Sequence, residues 1–263
     1  MPEYQTLEFA IADGVATIRL NRPDAANGIS TQLASELHEA AKSCVGNPAV
    51  RAVLLTGNGA MFSAGGDLKS FAAFGDDAPE KIGELLVHLH GAISTLSHLD
   101  APVVVAVNGM AAGAGFSLAC AGDLVIAARS ARFTMAYTAI GLTPDGGASF
   151  YLPRLVGIRR TQELMLTNRR LSADEALDWG IITQVVEDAE LETTATALAR
   201  ELAQGPTLAY AEVKKLLNLF RQTSLEQQME QEARAMSAMS ATEDGKGGIR
   251  AFVEKRRPTF HGR

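Results

Sequence analysis

Two stretches of the chain, AVLLTGNGAMFSAGGDLKSF (52–71) and VVVAVNGMAAGAGFSLACA (103–121), each run an apolar strand into a glycine-rich turn that opens a helix. Turns of such small residues let backbone N–H groups come close to a ligand, and two aimed at one oxygen would stabilise an oxyanion such as an enolate. In the first stretch Ala52 to Thr56 reads as a buried strand. Ser63-Ala64-Gly65-Gly66 then precedes Asp67, an N-cap for a helix running through Leu68 and Phe71. In the second, Val103 to Val107 is an unbroken strand-forming run and Asn108-Gly109 signals a turn. Gly113-Ala114-Gly115 opens a helix carrying Phe116, Leu118 and Ala119. The first amides of such a helix have no intrahelical acceptor and lie at the positive end of its dipole. Taken singly, either turn reads as glycine used for tight turning and close packing; the pair points to chemistry.

The elements that must hold these turns alternate along the chain. Val15–Leu20 has period-two patterning, and Ile29–Val45 is a helical stretch. Strands near 51–56, 103–107 and 123–128 alternate with helices near 80–98 and 113–121, the order of a parallel sheet covered by helices. Beyond about residue 157 the pattern is mostly helical, with Gly205-Pro206 as a break before an apolar face at Leu216, Leu217 and Phe220. This predicts a core over 1–200 and a helical subdomain over 201–263. The 229–239 stretch is rich in methionine, which fits packing within the chain as well as a contact with another copy.

Composition excludes several classes. With 263 residues, 47% of them hydrophobic, the chain has enough apolar material for one sizeable core. Its 24 Lys and Arg against 30 Asp and Glu give a net charge of −6, no field for a nucleic acid. Cys44 and Cys120 sit in apolar helical contexts without metal-ligand or CxxC spacing, so buried free thiols and no metal are expected. MPEYQTLEFAIADG has no targeting pattern and no apolar run approaches membrane-spanning length, which predicts a cytoplasmic protein.

FSAGGDL, NGMAAGAGFSLACAGDLVIAA and FTMAYTAIGLTPDGGASFYLPRLVG resemble successive signatures of the enoyl-CoA hydratase/isomerase (crotonase) superfamily, and the likeness runs from NRPDAANGIS to the tail FVEKRRPTF. The resemblance implies an α/β fold, a spiral of ββα units with a C-terminal helical trimerisation region, and a homotrimer or hexamer. It implies an acyl-CoA substrate, with coenzyme A entering as part of that substrate and no permanently bound cofactor. The amides of Gly66 and Ala114 would receive the thioester oxygen. Family members commonly have Gly where Ala114 stands, and a backbone N–H serves from either residue. Asp24, Ala25, Ala26 and Ala64 match positions lining the CoA channel, although a basic residue is common at position 24. Gly65, Asp67, Leu68, Met110, Gly113 and Tyr137 fall in the same binding segments. Phe252 and Lys255 resemble residues that reach the CoA of a neighbouring subunit, or they form a solvated basic tail.

The reaction depends on acid and base groups. Hydratases carry two glutamates at positions where this chain has Ser117 and Tyr137, neither a general base near neutral pH. The remaining carboxylate is Asp145 in GLTPDGG, which reads as a cap on the helix starting near Ala148 or, by resemblance to Asp-dependent isomerases and to 4-chlorobenzoyl-CoA dehalogenase, as the catalytic group. One carboxylate suffices to move a double bond, and an apolar pocket would raise its pKa. Phe74, Met110, Phe116, Phe133 and Met135 are candidate walls, with a flexible loop over 72–90. His90 matches the dehalogenase's catalytic histidine or is an ordinary helix residue; His38, His88, His98 and His261 have no evident partner. The expected activity is thus an enoyl-CoA isomerase. An atypical hydratase, a dehalogenase-like hydrolase and a non-catalytic acyl-CoA-binding protein are the alternatives.

Overall fold

In the computed structural model, which describes residues 3–220 and 222–263, the strands form two sheets. Met1 and Pro2, the start of the stretch read above for targeting signals, lie outside the described residues. The elements in order are β1 (Leu7–Ala12), β2 (Val15–Leu20), α1 (Thr31–Cys44), β3 (Ala52–Gly57), β4 (Met61–Ser63), α2 (Leu68–Ala73) and α3 (Ala78–His98). Then come β5 (Val103–Val107), β6 (Met110–Ala112), α4 (Ala114–Cys120), β7 (Leu124–Ala128), β8 (Arg132–Thr134) and α5 (Ala148–Thr167). The chain continues through β9 (Leu171–Ser172), α6 (Ala173–Asp178), β10 (Gln184–Val186) and α7 (Leu191–Ala203). It ends with α8 (Thr207–Leu219), α9 (Leu225–Ala241) and α10 (Glu243–Val253).

The larger sheet runs β1-β2-β3-β5-β7-β10, antiparallel at the β1–β2 hairpin and parallel from β2 onward. Its central strands are buried on both faces, which is why they read as continuous apolar runs. Leu54, Val104, Ala106 and Ile126 pack on Ala195, Ala199 and Ala203 of α7. Val53, Leu55, Val105 and Ala127, one residue out of phase, join the main core with Leu33 and Leu37 of α1 and Leu89 and Leu96 of α3. Cys44 and Cys120 are buried free thiols within it, and burial pushes them up to about 11 and about 12.

The second sheet, β4-β6-β8-β9, is built from strands of two or three residues, of which β4, β6 and β8 follow long strands after tight turns and β9 follows α5. Because β4 pairs in parallel with β6, the turns leaving the two strands emerge side by side. This ββα arrangement, repeated three times, is what brings the two glycine-rich turns together. The contact is tight enough to dictate glycine. A Cβ on Gly115 would stand 2.6 Å from the Ser63 carbonyl oxygen. One on Gly65, which has φ +89°, would stand 2.8 Å from the Ala112 carbonyl oxygen and 3.2 Å from the Ala114 nitrogen.

The C-terminal tail is tied back onto the core. Buried Asp244 accepts the His261 and Gly262 N–H groups, each at 2.7 Å, and Arg51 donates to the Phe260 and Gly205 carbonyls at 3.0 and 2.6 Å. No helix among the described residues is long and apolar enough to cross a membrane.

Candidate active site

Ser30 caps α1 and Asp67 caps α2, each side chain accepting an N–H from the third residue on. Asp67 also takes a 2.9 Å hydrogen bond from Arg22, whose other guanidinium nitrogen donates to the Gly28 carbonyl. Burial works to raise the Asp67 carboxyl, but hydrogen bonds from Arg22 and Ser70 outweigh it and hold it below its ordinary value. Asp67→Ala is expected to lower stability by about 2 kcal/mol, the loss of a cap and of a half-buried pair, read as a fall in the urea midpoint at pH 7. The depressed carboxyl contributes its stability above the ordinary aspartate pKa. That contribution disappears as pH falls through the depressed value, so variant and wild type should converge in acid.

Leu68, the residue after Asp67, lines a cavity of about 460 Å³. Ala64, Gly66 and Gly113 from the two turns line it together with Tyr137 and Asp145. The apolar walls are Leu68 and Phe71 of α2, Ile82 and Leu86 of α3, and Ala139, Ile140 and Leu142. At Gly66 the neighbouring amides are occupied, since Asp67 N–H donates to the Ile29 carbonyl and the Gly65 carbonyl accepts from Ile29. This parallel bridge leaves the Gly66 N–H pointing away from residue 29. The Ala114 N–H is the first of α4, and among the described residues neither amide has a protein acceptor.

Asp145 does not cap α5. The cap position is Gly147, at φ +77°, without a side-chain bond, and the Asp145 carboxylate faces Tyr137 instead. The phenol donates to Oδ1 at 2.6 Å and sits 3.0 Å from Ser117 Oγ, which in turn lies 3.3 Å from the Gly113 carbonyl. Burial raises the Asp145 carboxyl above its ordinary value, and the Tyr137 hydrogen bond offsets only part of this. Burial and the neighbouring carboxylate push the Tyr137 phenol far above its usual range. His90 reaches the cavity from α3, its Nε2 accepting the Gly146 N–H at 3.2 Å, which requires the ring proton on Nδ1.

The residues singled out in the sequence thus divide. Ala64, Gly66, Leu68, His90, Gly113, Tyr137 and Asp145 line the cavity. Gly65 and Ala114 stand behind it as backbone, and the Ala64 N–H donates a 2.9 Å hydrogen bond to the Ala26 carbonyl. Asp24 and Ala25 lie on a single 3-10 turn beside them. Met110 sits in β6 and Asp67 is committed to Arg22, while Phe252 and Lys255 are exposed at the end of α10; none of these lines the cavity. The proposed aromatic walls need correction. Phe116, Phe133 and Met135 are fully buried in the core, Phe74 lies outside the lining, and the 72–90 stretch is mostly ordered helix. The real walls were legible in part, since Ile82, Leu86 and His90 recur every fourth residue along one face of α3. A larger cavity of about 660 Å³, between α1, α3, α8 and the tail, holds none of the predicted residues.

The model of the family described as Enoyl-CoA hydratase/isomerase matches residues 10–263. The chain belongs to the enoyl-CoA hydratase/isomerase family. Among the relatives of this family member is 1,2-epoxyphenylacetyl-CoA isomerase of Escherichia coli, 38% identical over 98% of this chain and 100% of that one. Another is 4-chlorobenzoyl coenzyme A dehalogenase-2 of an Arthrobacter species, 38% identical over 86% of this chain and 82% of that one. The crystal structure of enoyl-CoA hydratase from Bacillus anthracis superposes with a TM-score of 0.92 at 33% identity, covering 98% of this chain and 100% of that one. Isomerase, dehalogenase and hydratase names therefore all attach to this one fold, and the choice among reactions falls to the side chains of the cavity.

Proposed function

We propose that this family member isomerises an enoyl-CoA, moving a β,γ double bond into conjugation with the thioester or rearranging a ring-epoxide CoA ester, with Asp145 as the proton-transfer base. The observation that carries the reading is a lone carboxylate in an apolar cavity that the two glycine-rich turns also line, with hydroxyls at both positions where hydratases carry glutamates. The Gly66 and Ala114 N–H groups receive the thioester oxygen. Asp145 takes a proton from the α carbon, and the C–H electron pair moves into a dienolate whose charge rests on that oxygen. Returning the same proton at the γ carbon leaves the double bond between α and β. Each oxyanion donor contributes about 3 kcal/mol to such a transition state.

In this reading Asp24, Ala25, Ala26, Ala64 and Gly65 line the channel for the CoA moiety, as resemblance implies. Residues 201–263 form a helical subdomain that joins copies into a trimer or hexamer. Exposed Leu225, Met229, Met236, Ile249, Phe252 and Val253 on α9 and α10 support that assembly, because so much unpartnered apolar surface favours burial.

The test is incubation with a β,γ-enoyl-CoA and, separately, an α,β-enoyl-CoA, followed by conjugated-thioester absorbance and product mass. Conjugation of the first without mass change, and no water gained by the second, is the expected result. Addition of water to the second would overturn the reading in favour of a hydratase. A dehalogenase-like hydrolase is the second reading, supported by His90 at the cavity beside the Asp145 loop. Turnover of 4-chlorobenzoyl-CoA would favour it, and tight acyl-CoA binding with no turnover of any of these would mark a binding protein.

A further inference from the structure

The hydroxyl chain behind Asp145 has no part in the steps above. A carboxylate with both oxygens free can rotate about its last torsion and offer either one, so a single-base mechanism that removes and returns one proton needs the group held. Tyr137 is 7% exposed, at the foot of a short 3-10 turn, and its phenol spends its only proton on Oδ1. Ser117, wholly buried on α4, has its Oγ 3.0 Å from the phenol oxygen and, since the phenol proton is spent on Asp145, donates its own proton there. With that proton on the phenol, the Gly113 carbonyl, 3.3 Å from Oγ, takes no hydrogen from it and accepts the Ser117 backbone N–H instead.

We propose that Tyr137 is a positioning residue, held by Ser117, that fixes the Asp145 carboxylate through Oδ1 so that Oδ2 alone exchanges the proton with substrate. This rests on the reading of Asp145 as the base. A phenol suits the task where a second carboxylate would not. It donates a hydrogen bond without adding a like charge, and burial keeps it protonated throughout the working range. The titratable groups facing Asp145 are Tyr137 from the 3-10 turn and His90 from α3, alongside the uncharged Ser117 of α4. Removing the phenol proton's donation therefore leaves a carboxylate that is harder to ionise.

Tyr137→Phe keeps the ring and deletes only the hydroxyl. Expected are a kcat lower by about 10- to 100-fold with KM nearly unchanged, and an acid limb of the pH–rate profile moved to higher pH. Ser117→Ala, a smaller change that leaves the Tyr137–Asp145 bond in place, should shift the limb in the same direction and lower kcat by about fivefold or less. If Tyr137→Phe does not fold, the Ser117→Ala profile decides alone, and an unmoved limb there overturns the proposal. It is likewise overturned if folded Tyr137→Phe keeps its kcat and its acid limb while Asp145→Asn is inactive, since Tyr137 would then serve only as packing. An active Asp145→Asn protein would instead sink the assignment of the base.

Discussion

Asp145→Asn should lower turnover of a β,γ-enoyl-CoA by about 10³-fold while leaving acyl-CoA binding near wild type, because general-base catalysis supplies roughly 10²–10⁴ in rate. Asparagine has the same shape, and its amide oxygen can still accept the Tyr137 hydroxyl that now reaches Oδ1. What disappears is the basic lone pair. The wild-type rate should rise with pH as Asp145 ionises, along a limb displaced above the ordinary aspartate value of about 3.9, since burial raises this carboxyl. The residual rate of the variant should show no such limb. A second readout comes from stability. A carboxyl raised in the folded state holds its proton more tightly there than in the unfolded chain, so its contribution is favourable in acid and is lost as pH rises through the folded value. At pH 7 the ionised group is therefore a burden, and Asp145→Asn should melt higher than wild type. Below about pH 4, where Asp145 is protonated in both states, the advantage should vanish. Full activity in the variant on every enoyl-CoA the wild type accepts would show that another group moves the proton.

Much of this site could be read before the fold was known, and for a physical reason. Strand-to-turn-to-helix transitions are local, so Asp67 as a cap and Gly113 at the mouth of α4 follow from their immediate neighbours. The second sheet was not legible as sheet. Strands of three residues, such as Met61–Ser63 and Arg132–Thr134, are too short for a period-two pattern and exist because each pairs with β6 between them. Arg22 meeting Asp67, and Tyr137 meeting both Ser117 and Asp145, are tertiary encounters that no local pattern announces. Phe116 and Phe133 misled because aromatic character fits a pocket wall and a core equally; they pack on each other at 5.3 Å between ring centroids, deep in the core. Asp145 shows the converse. Its turn chemistry alone favoured a cap, and only the resemblance pointed to the cavity where the carboxylate lies.

Gly65→Ala should reduce turnover by about 100-fold or more. The added Cβ would stand 2.8 Å from the Ala112 carbonyl oxygen and 3.2 Å from the Ala114 nitrogen, both backbone atoms with no rotamer to yield. At φ +89° the residue is also strained as alanine, so stability should fall by about 2 kcal/mol or more. Relief can come only from moving the two turns apart, which separates the Gly66 and Ala114 amides. Gly75→Ala is the matched control. It also has positive φ, +54°, but its Cβ would meet nothing within 4 Å, so it should cost stability and keep activity. The decisive ligand is a β-ketoacyl-CoA, whose enolate absorbs in the near ultraviolet and needs the amide pair but no catalytic base. Wild type and Asp145→Asn should both favour the bound enolate, whereas Gly65→Ala should bind the ligand largely in its neutral form. Equal enolate formation in Gly65→Ala would mean that the thioester oxygen rests elsewhere, and the two turns would then be packing devices after all.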